Sequence, residues 1–83
     1  MTQYWFFYTP LCGTCATASA WLDILEASGD IQVERKNISE YPQTAVDWEI
    51  TSVPCLMKTV NNIPEARMYA MQDITAMYEF LTR

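Results

Sequence analysis

The feature that most constrains the fold is an apolar segment followed at once by a Cys-x-x-Cys pair and an alanine-rich stretch. Residues 3–8, QYWFFY, are too few for a helix and are typical of a buried strand, which Pro10 ends. Cys12 and Cys15 follow directly. The next residues, ATASAWLDILEAS, form an amphipathic helix that we expect to end at Gly29. Its inner face is predicted from helical spacing to carry Cys15, Ala18, Ser19, Leu22 and Leu25.

The rest of the chain alternates strands and helices. Strands are predicted at residues 31–36, 55–60 and 65–69, with a hairpin turn at Asn61-Asn62. Helices are predicted at residues 42–48 and 72–81, the last with an inner face of Ile74, Met77, Tyr78 and Leu81. The order β-α-β-α-β-β-α requires a parallel pair first and an antiparallel hairpin later. We therefore predict one α/β domain, residues 1–83, with a mixed four-stranded sheet flanked by three helices.

Composition removes several classes of function. The chain has 83 residues, ten acidic against five basic, a net charge of −5 and no His. The acidic balance argues against nucleic-acid binding, and the missing imidazole excludes Ser-His and Cys-His catalysis. We expect no membrane contact, because no apolar run approaches a membrane span and no signal peptide is visible. Three cysteines are neither dense nor even in number, which favours a reducing, cytoplasmic location.

The position of the Cys-x-x-Cys pair at the start of a helix favours thiol–disulfide chemistry. Two cysteines three residues apart at a helix start can bring their sulfurs within bonding range, with Gly13 allowing the tight turn and Thr14 filling the space between. Free amides and the positive end of the helix dipole favour a thiolate on Cys12, and thiolate is the nucleophile. Cys15, one turn in and more buried, would resolve a mixed disulfide. The alternatives are part of a metal site with Cys55, or two coincidental core cysteines.

Val53-Pro54, just before a predicted strand, has two interpretations. Proline can simply mark the start of a strand. A cis bond here would instead expose the Val53 backbone for pairing with an extended substrate segment.

Taken together, these segments resemble thioredoxins. The similarity is carried by FFY before CGTC, by NIS and EYPQTA, by EITSVP and by EFL, at thioredoxin-like spacings over essentially the whole chain. It implies a short, glutaredoxin-length thioredoxin fold and a thiol–disulfide oxidoreductase acting on protein or small-molecule disulfides. It implies no cofactor, an external electron donor (a reductase or glutathione) and a monomer. By the same resemblance Cys12 attacks, Cys15 resolves and Pro54 is the cis proline. Substrate contacts are expected from Leu11, Gly13, Thr14, Val53, Pro54 and Ala70.

Several positions depart from the thioredoxin pattern. Leu11 replaces a Trp, so we expect no aromatic lid beside the sulfur. Thr14 replaces a Pro, so we expect a less rigid turn and a less reducing disulfide. Ala70 replaces a Gly, so we expect large substrates to approach less easily. Phe6 replaces a buried Asp that helps deprotonate the resolving thiol, which predicts slower turnover. Arg35 replaces the Lys partner of that acid, and it would either favour thiolates nearby or extend into solvent.

Cys55 stands where thioredoxins have Thr. We expect it to pack as a small buried hydrophobe, with a third redox thiol or a metal ligand as the alternatives. The main competing function is a catalytically weak binding module on the same fold.

Overall fold

The computed structural model describes residues 1–82 of the chain. Its strands are β1 (Thr2–Tyr8), β2 (Glu34–Asn37), β3 (Cys55–Val60) and β4 (Ile63–Met68), and its helices are α1 (Gly13–Glu26), α2 (Pro42–Asp47) and α3 (Ile74–Leu81), with a 3-10 turn at Ile38–Glu40. The four strands form one sheet in the order β2-β1-β3-β4. Strand β1 is parallel to β2 and antiparallel to β3, and β4 is antiparallel to β3. The predicted element order and mixed sheet are confirmed.

Strand β1 lies inside the sheet, between β2 and β3, and both of its faces are covered. Phe6 and Phe7, adjacent in sequence, are each almost fully buried but belong to different core clusters, since successive side chains of a strand point to opposite faces. Buried residues of α1 and α3 cover the Phe6 side, and Trp48 and Ile50, just after α2, pack on the Phe7 side. Burial on both faces explains why the sequence of β1 is apolar without alternation.

The hairpin turn lies where Asn61-Asn62 predicted it. Both residues have positive φ, 53° and 67°, as a two-residue type I′ turn requires. Asparagine tolerates this left-handed region better than most residues. The pairing begins at once, with Val60 opposite Ile63, so β4 starts two residues earlier than predicted.

The predicted boundaries of two other elements are corrected. Ile31 and Val33 are in the core, but the ladder of β2 begins only at Glu34, so burial and strand pairing do not coincide there. Helix α1 ends at Glu26, and Gly29, with φ of +96°, lies in the turn that follows rather than directly after the helix.

The inner face of α3 is also different from the prediction. Asp73 caps the helix, its Oδ1 accepting from the amide of Ala76 at 2.8 Å. From that start the buried residues are Met77, Phe80 and Leu81, whereas Tyr78 is 50% exposed. Positions i, i+3 and i+4 share a helix face, so choosing Tyr78 instead of Phe80 rotated the predicted face toward solvent.

None of the helices in residues 1–82 is both long enough and apolar enough to cross a membrane.

The two aromatic residues of α3 provide a matched test of this packing. Phe80→Ala is expected to lower the free energy of unfolding by about 3 to 5 kcal/mol, because it leaves a cavity in the core. Tyr78→Ala is expected to cost less than about 1 kcal/mol, because half of that side chain already faces water. Urea titrations followed by circular dichroism measure both. Equal losses for the two variants would mean that the helix face is assigned wrongly.

Candidate active site

Cys12 is the N-cap residue of α1. Its backbone is extended (φ −136°, ψ 108°), and its Sγ accepts a hydrogen bond from the amide of Cys15 at 3.2 Å. The hydroxyl oxygen of Thr14 lies 3.4 Å from the same sulfur. The first amides of a helix have no partner within the helix, and the dipole there favours negative charge. A thiolate on Cys12 would therefore be stabilised by groups already in place.

The two cysteines of the motif are joined in a disulfide, with their Cα atoms 5.2 Å apart. This distance is within the ordinary range for disulfides. Cys12 remains partly exposed, whereas Cys15, one turn into the helix, is only 2% exposed. A nucleophile at the surface and a resolving thiol behind it is the arrangement expected of a redox pair.

A groove of about 230 Å³ lies on one side of the helix start. Its lining is uncharged and consists of Thr14, Pro54, Tyr69, Ala70, Met71 and Gln72. The Val53–Pro54 peptide bond is cis, which confirms that prediction. The structure thus places three residues predicted to contact substrate in one groove: Thr14, Pro54 and Ala70.

The other predicted contact residues are not part of the groove lining. Leu11 is fully exposed directly before Cys12, and Gly13 is exposed at the first position of α1. Val53 is half-buried and packs on the Phe7 cluster, so its side chain faces the core. Only its backbone would be offered to a substrate.

A second pocket, of about 290 Å³, opens on the other side of the disulfide. Both sulfur-bearing residues contribute to its lining, which is Tyr8, Thr9, Pro10, Cys12, Cys15, Ala16, Ser19 and Arg35. Sequence reasoning had singled out Arg35 here.

All five N–H groups of Arg35 donate hydrogen bonds, and four of these bonds join β2 to α1. A guanidinium has five donors. Nη1 donates to the Glu26 carboxylate at 2.7 Å and to the Val33 carbonyl, and Nη2 to the Asp23 carboxylate at 2.7 Å and to the Ser19 carbonyl. Nε donates to the Ser19 hydroxyl at 3.4 Å. The expectation that Arg35 extends freely into solvent is therefore wrong. The other expectation, that its charge favours a thiolate nearby, stays a prediction, because Arg35 lines the same pocket as Cys12 and Cys15.

Phe6 lies opposite Arg35 in the β1–β2 ladder and is 1% exposed. Its ring belongs to the core cluster beneath α1. Nothing in this side chain can accept a proton. The core beneath α1 therefore has an apolar ring where thioredoxins have a buried Asp.

Cys55 is a free thiol, fully buried on the Phe7 side of the sheet. Burial raises its pKa to about 11, against a smaller opposing effect of Arg67. This confirms that it packs as a small buried side chain. Within residues 1–82, no three Cys, Asp or Glu side chains are grouped as a metal ion would require, which removes the support for a site made of Cys12, Cys15 and Cys55.

Three residues of the groove were missed by sequence reasoning: Tyr69, Met71 and Gln72. The available signal was position. Tyr69 ends the predicted return strand and precedes Ala70, which the resemblance had already placed near the substrate.

A mixed four-stranded sheet, a Cys-x-x-Cys pair at the start of α1 and a cis proline before β3 together define the thioredoxin class of fold. Comparison with solved structures agrees. A mutant thioredoxin from Halobacterium salinarum superposes with a TM-score of 0.84 at 20% identity, over 96% of this chain and 71% of that one. Trxlp from Edwardsiella tarda superposes with a TM-score of 0.83 at 20% identity, over 99% of this chain and 82% of that one. Oxidised mitochondrial thioredoxin 3 from Saccharomyces cerevisiae superposes with a TM-score of 0.77 at 20% identity, over 96% of this chain and 76% of that one.

Sequence comparison identifies the family. No family model matches the chain. The thioredoxin-like protein YusE of Bacillus subtilis (strain 168) is 32% identical over 77 residues, which are 92% of this chain and 73% of that protein. The chain belongs to the thioredoxin-like family.

The exposure of the three sulfurs predicts an order of alkylation. After reduction, a brief pulse of iodoacetamide at neutral pH should label Cys12 first, Cys15 more slowly and Cys55 last, as read by mass spectrometry of peptides. The reason is that only thiolate reacts, and the buried Cys55 thiol, with its pKa near 11, stays protonated. The same pulse in urea, the control, should label all three at similar rates. Labelling of Cys55 first in the folded protein would contradict the assignment of the nucleophile.

The raised pKa of Cys55 predicts a pH dependence of stability. Its ordinary pKa is 9.0 and its folded value is about 11, so between these values unfolding releases a proton from Cys55. Stability must then fall as pH rises from about 9 to about 11. Urea unfolding of the oxidised protein should show this fall, and Cys55→Ala should show a shallower one, since the two proteins differ only in this side chain. Parallel curves would contradict the burial of this thiol.

Proposed function

We propose that the chain is a thiol–disulfide oxidoreductase that exchanges dithiol for disulfide through a mixed disulfide on Cys12. One observation carries the proposal. The Cys12 sulfur caps a helix N-terminus and is bonded to a buried Cys15, and Thr14, between the two cysteines, lines an uncharged groove together with the cis Pro54. Membership of the thioredoxin-like family supports the general class of reaction.

The first step is attack on a substrate disulfide. The Cys12 thiolate bonds to one substrate sulfur, the substrate S–S bond breaks, and the other substrate sulfur leaves as a thiolate that takes a proton from water. The amide of Cys15, which already points at this sulfur at 3.2 Å, stabilises the attacking anion before the bond forms.

The second step resolves the mixed disulfide. The Cys15 thiol loses its proton to water and attacks the Cys12 sulfur. The bond between Cys12 and the substrate breaks, the substrate sulfur leaves as a thiolate that takes a proton from water, and the Cys12–Cys15 disulfide is formed. Two electrons have passed from the protein to the substrate. An external donor, a reductase or glutathione, must return them. Because Phe6 supplies no proton acceptor beneath the site, we expect this step to be slow.

The substrates that fit best are disulfide-containing proteins. The backbone before cis Pro54 can pair with an extended segment, which gives affinity without sequence preference, and exposed Leu11 adds an apolar contact beside the sulfur. We propose that the protein acts as a monomer in the reducing cytoplasm, where cysteines like these are redox-active rather than structural.

A second candidate, a catalytically weak binding module, is favoured by one observation. The apolar Phe6 removes the family's buried acid, so binding in the groove could persist while turnover is low. Dithiol-driven reduction of insulin separates the two functions, since only the oxidoreductase precipitates the reduced chains at a rate proportional to its concentration.

Two single substitutions test the order of the cysteines. Cys15→Ser should accumulate a covalent complex with a substrate, because a serine hydroxyl cannot displace the Cys12–substrate bond. Cys12→Ser should accumulate none, because the remaining motif thiol is 2% exposed. Each variant is immobilised, incubated with cell lysate and eluted with dithiol after non-reducing washes.

The double variant Cys12→Ser/Cys15→Ser is the matched control, and it should retain only background protein. Equal trapping by the two single variants would show that the cysteines are not ordered as nucleophile and resolver. Trapping by neither would favour the binding module.

A further inference from the structure

The segment between α2 and β3 brings the cis proline to the groove. Helix α2 is followed by Trp48 and by Glu49, which is in the left-handed region (φ 53°). The amide of Ile50 donates back to the carbonyl of Ala45 at 2.9 Å, and the amide of Glu49 donates to the carbonyl of Val46. This is a Schellman ending, which glycine usually supplies. The chain then runs through Thr51 to Pro54, so the path of this ending sets where the proline lies.

Arg67 of β4 fixes the same ending from outside. Its Nη1 donates to the carbonyl of Trp48 at 2.7 Å and to that of Glu49 at 3.2 Å. Carbonyls at a helix C-terminus lack partners within the helix, and the dipole there favours a cation. Arg67 therefore joins β4 to the end of α2, across 18 and 19 residues of sequence.

The Tyr69 hydroxyl completes this network. It accepts from the amide of Thr51 and from Arg67 Nη1, each at 3.3 Å, and it donates to the carbonyl of Glu49 at 3.3 Å. The hydrogen bond to Thr51, with a smaller effect from Arg67, lowers the pKa of this hydroxyl. The phenol oxygen is thus held by β4 and by the segment that leads to Pro54.

We propose that Tyr69 is a specificity-determining wall of the substrate groove and that Arg67 is a positioning residue that holds it there. The groove of about 230 Å³ is lined by Tyr69 together with Thr14, Pro54 and Ala70. Any polypeptide bound against Pro54 must therefore pass this side chain. The proposal rests on the proposed function, because it assigns roles in the same exchange reaction.

The network also indicates which substrates depend on it. The groove lining carries no charged side chain, so recognition there relies on shape and backbone contact with uncharged segments that flank the disulfide. A small disulfide can reach the Cys12 sulfur without filling the groove. Loosening Tyr69 should therefore weaken the reaction with a protein disulfide and leave that with a small disulfide nearly unchanged.

The experiment compares two substrates, insulin and hydroxyethyl disulfide, at a fixed concentration of dithiol donor. Arg67→Ala should raise the KM for insulin about three- to tenfold, as expected for lost hydrogen bonds, with kcat within about twofold. Tyr69→Phe should shift the KM in the same direction by less, because the ring remains. Arg67→Lys should recover part of the loss. The rate with hydroxyethyl disulfide should stay within about twofold throughout.

Glu65→Gln is the matched control. It removes a charge from the same strand, where Glu65 pairs with Lys58 at 3.3 Å, and it should leave both substrates unaffected. Circular dichroism checks that each variant is folded, and if Arg67→Ala is not, Arg67→Lys and Tyr69→Phe decide. An unchanged insulin KM, or equal losses on both substrates, would overturn the proposal.

Failure of the proposed function would look different. The unsubstituted protein would then reduce neither substrate, and the variants would be compared by their binding of reduced, alkylated insulin B chain. Weaker binding by Tyr69→Phe and Arg67→Ala would still support the groove wall, and equal binding by all variants would overturn it.

Discussion

The position of the Cys12–Cys15 disulfide depends on where β1 ends. Phe6 and Phe7 anchor this strand in two separate core clusters, so its carboxyl end cannot shift without disturbing both layers of the fold. After it the chain turns through Pro10 and enters α1 with Cys12 as the N-cap. The amide of Cys15 then donates to the sulfur, and this stabilisation of negative charge comes from the backbone at the helix start.

Within residues 1–82, the arginines and lysines contact other elements of the fold, and of these four side chains only Arg35 lines the pocket beside the disulfide. Arg35 joins β2 to α1 and Arg67 joins β4 to the end of α2. The two lysines are also engaged: Lys36 lies over the rings of Trp5 and Tyr41 at 5.0 and 5.2 Å, and Lys58 pairs with Glu65. In the part of the chain the structure describes, the groove beside Pro54 is left uncharged. Recognition by shape and backbone pairing is the consequence, and it suits substrates whose sequences vary.

Local patterns were enough to predict much of this arrangement. Apolar runs, helical spacing, the paired asparagines and the cysteine spacing are each encoded within a few neighbouring residues. The missed features depend on packing between distant segments. Arg35 finds its carboxylates 9 and 12 residues earlier in the chain, and Tyr69 meets Thr51 across 18 residues. The wrong prediction of Tyr78 instead of Phe80 on the inner face of α3 has a similar cause. Packing against the core, rather than helical spacing alone, decides which face of the helix is buried.

The most direct test of the central claim is the redox equilibrium of the Cys12–Cys15 pair. The protein is equilibrated in buffers of graded dithiol and disulfide, quenched with an alkylating reagent and weighed by mass spectrometry. The account predicts a single reversible two-electron transition in which Cys12 and Cys15 change together, while Cys55 is a thiol at every point. A disulfide that includes Cys55, or a pair that does not interconvert reversibly, would contradict it.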